Sequence, residues 1–152
     1  MSDKSKYNPE KLSIVDFKCL KGQVDAPEDF ILEKISSYNV ENSLALAVNM
    51  TDKRIKVDFT ITIISVSNGA NKHEASGSFH LIFIYHLENL DEMAEPADGN
   101  IIRLDPVLTT NLASVSYSTS RGILLTRLQG TALQNFILPV INPVSLLQQP
   151  VK

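Results

Sequence analysis

Hydrophobic and polar residues alternate with a period of two along much of the N-terminal half of the chain. Leu44, Leu46, Val48 and Met50 share one side and Ser43, Ala45, Ala47 and Asn49 the other, which predicts a strand. After a Thr51-Asp52-Lys53 turn, Ile55, Val57, Phe59, Ile61 and Ile63 alternate with Arg54, Lys56, Asp58, Thr60 and Thr62, the clearest strand in the sequence. Beyond Ile63 the apolar phase moves to Ile64 and Val66. An unbroken strand would turn those side chains to the polar face, so a bulge or sharp bend is predicted there. Asn68-Gly69 opens the next turn, and a further strand runs from Ala75 to Leu87. It places Phe79, Leu81, Phe83, Tyr85 and Leu87 on one side and Ser76, Ser78, His80, Ile82, Ile84 and His86 on the other. Earlier, Val15, Phe17 and Cys19 alternate with Asp16, Lys18 and Leu20 in a first strand from Leu12 to Gln23. The stretch Asp25 to Asn42, with Ala26-Pro27 and Ser36-Ser37-Tyr38-Asn39, is irregular. It is expected to wrap the sheet, carrying Phe30, Ile31, Leu32 and Ile35.

The period then changes. Glu88 to Asn100 is acidic and broken by Pro96 and Gly99, and reads as a long loop. Asp105-Pro106 supplies an N-cap and first helical residue, and Leu108, Leu112, Val115, Thr119, Ile123 and Leu124 recur at helical steps. The helix is expected to end near Gln129, stopped by Gly130. Opposite that stripe stand Asn111, Ser114, Ser118, Ser120 and Gly122, where a solvated helix would carry lysines and glutamates. Pro139 and Pro143 force the apolar run Phe136 to Ile141 into an extended path, with one short helical turn over Val144 to Gln148. The order of elements predicts an α+β domain over 1–152: a four-stranded antiparallel sheet, one long C-terminal helix packed on it, an extended apolar segment and a short helix. The ends, 1–11 and 148–152, are expected to be flexible.

Composition narrows the function. At 152 residues the chain suits one domain, and 43% hydrophobic with 20% charged residues is too apolar for intrinsic disorder. A net charge of -3 supplies no basic footprint for nucleic acid or an anionic membrane. The single cysteine, Cys19, cannot form an internal disulfide, no apolar leader follows the Met1 start, and the longest apolar runs fall far below the roughly 20 residues of a membrane span. A cytoplasmic protein is expected.

Catalytic chemistry finds no footing. Cys19 lies on the apolar face of the first strand, where a small buried thiol is ordinary. His80 and His86 share a strand face but sit about 20 Å apart at the strand rise, too far for one metal ion, and His73 falls in a turn. Asp91, Glu92 and Glu95 belong to a polar loop, and no glycine-rich phosphate cradle occurs. No enzyme, no metal and no cofactor are expected. What remains is a surplus of apolar residues. Ile82 and Ile84 give the fourth strand a second apolar face, which indicates a subunit contact, the alternative being scattered surface residues. The neutral helix stripe at Ser114, Ser118 and Gly122 permits close approach of another subunit, the alternative being a serine-rich surface helix.

The order of parts resembles the SecB-type export chaperones. The most specific stretch is Tyr117-Ser-Thr-Ser-Arg-Gly-Ile-Leu-Leu-Thr-Arg-Leu-Gln-Gly130-Thr131-Ala-Leu-Gln-Asn-Phe136-Ile-Leu-Pro139-Val140-Ile-Asn142-Pro. The family's helix ends in Arg-Gly-Thr and leads to alternating apolar residues and a Pro-Val-Asn or Pro-Ile-Asn step. Gly130, Thr131, Pro139 and Val140 fit, as does Ala26-Pro27 after the first strand. The resemblance implies a homotetrameric dimer of dimers with helices sandwiched between sheets, binding unfolded preproteins without ATP. Carried over by position, it implies a peptide groove at Phe30, Leu44, Leu46, Phe136, Leu138 and Val140. It also implies contact with the translocase motor SecA. The chain departs from the family in three ways: Gln129 replaces the usual arginine, the acidic tail is absent at Gln149-Pro150-Val151-Lys152, and Arg54 and Lys56 mix with Asp58 on the sheet's outer face. The alternative is a SecB-fold module for one dedicated partner, such as a labile antitoxin, or a small apolar ligand.

Overall fold

The structure is a computed structural model that describes residues 6–147. Four long strands, β1 (Leu12–Asp25), β2 (Ser37–Asn49), β3 (Arg54–Val66) and β4 (Ser76–Leu87), form one antiparallel sheet in the order β1-β4-β3-β2. A short helix α1 (Leu90–Met93) leads into a two-stranded hairpin, β5 (Ala94–Ala97) and β6 (Ile101–Leu104). The long helix α2 (Pro106–Arg127) follows, and a 3-10 turn at Pro143–Leu146 closes the described chain. Because β1 and β2 are opposite edges, the residues between them must cross the sheet. This is the physical reason for the irregular segment around Phe30.

β3 and β4 form where the alternation is strongest. Ile55, Val57, Phe59, Ile61 and Ile63 point into the core together with Phe79, Leu81, Phe83, Tyr85 and Leu87, all nearly inaccessible. α2 starts where Asp105 caps it, its carboxylate accepting from Val107 N (2.8 Å) and Leu108 N (3.4 Å), with Pro106 at the first position. Its end is set by Gly130, whose φ of 77° is the left-handed geometry that closes helices. Gly77 serves packing instead: a Cβ there would stand 2.8 Å from Leu133 Cδ1, and Leu133 is itself fully buried.

Four expectations are corrected. No bulge follows Ile63, since β3 keeps register with both neighbours through Ile64. The inward positions pass to Ser65 and Ser67 instead, both buried, because Glu74 accepts from Ser65 Oγ (2.9 Å), Ser67 Oγ (2.7 Å) and Ser67 N (2.8 Å). The register shifts lie in β1, between Ile14 and Asp16 and between Cys19 and Lys21. β2 begins at Ser37, so residues 37–42 are strand rather than irregular chain. The expected loop 88–100 contains α1 and β5, pinned by buried Leu90 and Met93. On α2 the buried stripe is Leu108, Leu112, Ala113, Ser116, Tyr117, Ser120 and Leu124, whereas Val115 and Thr119 face outward. Two serines fit inside because Ser116 Oγ pairs with Tyr85 OH (2.7 Å) and Ser120 Oγ donates to Ser116 O (2.7 Å). Of the ends expected to be flexible, 1–5 and 148–152 lie outside the described residues. Glu88 N donates to Lys11 O (3.1 Å), Asn89 Nδ2 to Lys6 O (3.3 Å), and Tyr7 packs against the core.

Candidate chain-binding surface

After Gly130 the chain turns back along α2 and becomes an extended run held through its backbone. Tyr117 OH donates to Pro139 O (2.7 Å), Arg121 Nε to Leu138 O (2.9 Å) and Arg121 Nη2 to Pro139 O (3.2 Å), with the guanidinium 5.3 Å from the Tyr117 ring centre. Burial pushes the Tyr117 hydroxyl above its ordinary range, although Arg121 acts in the opposite direction. Prolines and carbonyls without partners of their own would leave this segment loose, and the two side chains supply what a neighbouring strand would. Consequently its side chains alternate: Phe136 and Leu138 enter the core, while Ile137, Val140 and Ile141 face outward, Val140 with 89% of its surface accessible.

The six residues assigned to a peptide groove divide accordingly. Leu44, Leu46, Phe136 and Leu138 are buried in one core cluster, and Phe30 is half-buried against it. Phe136 meets Tyr38 edge-on at 5.2 Å. Val140 stands outside that cluster. Leu46 alone of the six lines a cleft of about 520 Å³, formed with Ile101, Ile102 and Leu104 of the hairpin, Thr109 of α2 and Val144 and Leu147 of the C-terminal turn. Asp98 and Arg103 also line this cleft. The hairpin and the cleft escaped the sequence reading, as did Arg121. A signal for Arg121 existed: it and Arg127 are the only charged residues of α2, and Arg121 stands in the middle of neutral serines and threonines.

The residues assigned to subunit contacts lie on opposite sides of the protomer. Ser114, Ser118 and Gly122 follow one another along the side of α2 away from the sheet, accompanied by exposed Val107, Val115 and Leu125. An added Cβ at Gly122 would meet nothing within 4 Å. Ile82 and Ile84 lie on the sheet face opposite the core, Ile82 buried and Ile84 half-buried. Their cross-strand neighbours are Lys18 and Asp58 for Ile82, and Asp16 and Lys56 for Ile84, so this apolar patch is narrow and bordered by charge. On the same face His80 Nε2 is 2.8 Å from Asp58 Oδ1. Cys19 is half-buried, its thiol donating to Lys21 O at 3.3 Å. Among the described residues no three His, Cys, Asp or Glu side chains are placed to share a metal ion, and no helix is long and apolar enough to cross a membrane.

Further exposed apolar residues lie on the edge strand β1: Ile14, Val15, Leu20 and Phe17, the last also packed on Phe83 at 5.2 Å. Among the described residues β1 and β2 are both edges and the hairpin pairs with neither, so main-chain donors and acceptors along them lack a strand partner and lie beside apolar side chains.

No protein-family model matches the sequence, and no curated protein is significantly similar to it. Among solved structures, the chain resembles a SecB-like chaperone of Mycobacterium tuberculosis, determined in complex with a ChAD peptide from the HigA1 antitoxin. The TM-score is 0.61 at 17% sequence identity, over 88% of this chain and 92% of that one. The chain therefore has a SecB-like fold.

Proposed function

We propose that this protein is an ATP-independent chaperone that holds non-native polypeptide segments. The observation that carries the reading is the C-terminal run, whose backbone is fixed by Tyr117 and Arg121 while Ile137, Val140 and Ile141 are turned out. A rigidly presented apolar ridge beside free strand edges suits an unfolded chain. Its main chain can pair with an edge while its side chains meet apolar surface, giving affinity with little sequence preference. The SecB-like fold supports this, and so does the peptide bound to its structural neighbour. In this reading the protein works in the cytoplasm without cofactor or catalysis, as a homotetramer joined across the outer side of α2. Its clients are unfolded preproteins or other non-native chains, and delivery to the translocase motor SecA is the export version of the role.

A second reading is favoured by one observation each from the neighbour and from this chain. The neighbour holds a peptide of one antitoxin, and the cleft beside Leu46, about 520 Å³, has room for a few apolar side chains. A dedicated partner would place an apolar anchor there. The experiment follows aggregation of chemically unfolded citrate synthase by light scattering with excess purified protein and no nucleotide. Suppression is expected; unchanged aggregation would sink the general chaperone and leave the dedicated one, which a peptide array of candidate antitoxins would then decide.

A further inference from the structure

The turn between β3 and β4 reaches back to the segment that crosses the sheet, forty residues earlier in sequence. Asn71 Oδ1 accepts from Ile31 N (2.9 Å) and Asn71 Nδ2 donates to Ile31 O (3.1 Å), so one side-chain amide satisfies both backbone groups of Ile31 as a neighbouring strand would. The same Nδ2 donates to Ser67 Oγ (2.9 Å), which donates to Glu74 Oε1 (2.7 Å), while Ser67 N donates to Glu74 Oε2 (2.8 Å). Glu74 also takes Ser65 Oγ (2.9 Å), and Ser65 and Ser67 are both buried. The amide is thus oriented by a chain of bonds ending in the sheet. On the other side the need is plain. Within residues 26–35 the remaining backbone bonds are local turns, Phe30 N to Pro27 O, Lys34 N to Ile31 O and Ile35 N to Leu32 O; the next tie to the sheet is Ser36 N to Val66 O.

We propose that Asn71 is a positioning residue that latches the crossing segment to the β3–β4 turn, fixing Phe30 and Ile31 as one lip of the chain-binding surface. The lip's role rests on the chaperone reading; the latch itself does not. Phe30 is half-buried against the core while Ile31 is 46% exposed, so packing does little to fix Ile31 itself. With the amide in place, Ile31 presents its side chain outward from a fixed backbone. Asn71→Ala removes all three bonds at an exposed turn, and Asn71→Asp keeps the acceptor for Ile31 N but puts oxygen where Ile31 O and Ser67 Oγ need a donor or a partner.

The test is hydrogen exchange by mass spectrometry on the full chain, paired with affinity for reduced, carboxymethylated α-lactalbumin, a permanently unfolded chain. In Asn71→Ala the peptides spanning 26–36 are expected to exchange at least tenfold faster, with β3 and α2 unchanged, and client affinity to fall several-fold; Asn71→Asp falls between. Unchanged exchange in both variants would overturn the latch. Faster exchange with unaltered affinity would overturn the lip. A wild-type protein that binds no unfolded client would sink the chaperone reading and the lip with it, while the exchange result still decides the latch.

Discussion

β3 and β1 have similar lengths and the same alternation of apolar and polar residues, yet they end in opposite circumstances. β3 lies between two strands, and its five apolar side chains from Ile55 to Ile63 are all 1% exposed or less. β1 is an edge with two register shifts, none of its residues is fully buried, and Ile14, Val15, Phe17 and Leu20 are exposed. The pattern alone does not say which apolar residues build the core. Neighbours decide that, and the strand lacking one keeps its apolar residues available. The same division recurs along residues 136–141, where Leu138 turns in and Val140 turns out.

The contrast can be broken most forcefully by truncation. Phe59→Ala in β3, which also removes the edge-on contact with Tyr117 at 5.9 Å, is expected to cost about 3–5 kcal/mol in urea unfolding. Leu20→Ser in β1 is expected to change stability by no more than about 0.5 kcal/mol and to weaken client binding instead. Equal losses at the two positions would mean that β1 is as much core as β3.

Assembly gives the next largest effect. Light scattering of the wild type is expected near four times 16.8 kDa. Gly122→Glu, placed where the protomer leaves open space, is expected to at least halve that mass with the circular dichroism unchanged. A wild-type monomer, or a variant that stays assembled, would remove α2 from the interface.

How far the sequence carries can be traced to the same cause. β3 and β4 are legible because each has neighbours on the side its pattern points to, whereas for α2 and the extended run the pattern gives the element but not the whole of its inward side. Ser37 to Asn42 are not legible, since Ser37, Asn39 and Glu41 face away from the core and Val40 is only half-buried at the edge. The phase change at Ile64 predicts a bulge that would keep Ile64 and Val66 off the polar face; the strand runs on instead with Ser65 and Ser67 inward, and Glu74, seven residues past Ser67, is what makes them fit. For the residues assigned to a groove, the pattern does not say which side each one takes. Phe136 and Leu138 read like Val140 until Tyr117 and Arg121 are seen gripping the carbonyls between them.

That grip sharpens the comparison at a smaller scale. Tyr117→Phe removes a single bond to Pro139 O and is expected to cost about 1 kcal/mol, and Arg121→Ala about 1–3 kcal/mol, in each case with faster exchange confined to residues 136–141. Loss of client binding should exceed loss of stability for Arg121→Ala, because the run itself would move. Smallest is the effect of pH on the latch. Hydrogen bonds from Ser67 and Ser65 hold the Glu74 carboxyl below its usual range despite opposing desolvation. Its contribution is therefore complete above the unfolded carboxylate value of about 4.3 and fades as pH falls through the lower folded value. Exchange over 26–36 should rise across that acidic window in the wild type and not in Glu74→Gln.

If the apolar residues left out of the core hold other chains, aggregation kinetics report it. Wild-type protein in excess is compared with a Val140→Ser, Ile137→Ser variant that replaces no buried residue. The wild type is expected to suppress aggregation of unfolded citrate synthase without nucleotide, and the variant, equally stable, to suppress it several-fold less. Equal suppression by both proteins, or by neither, would contradict it.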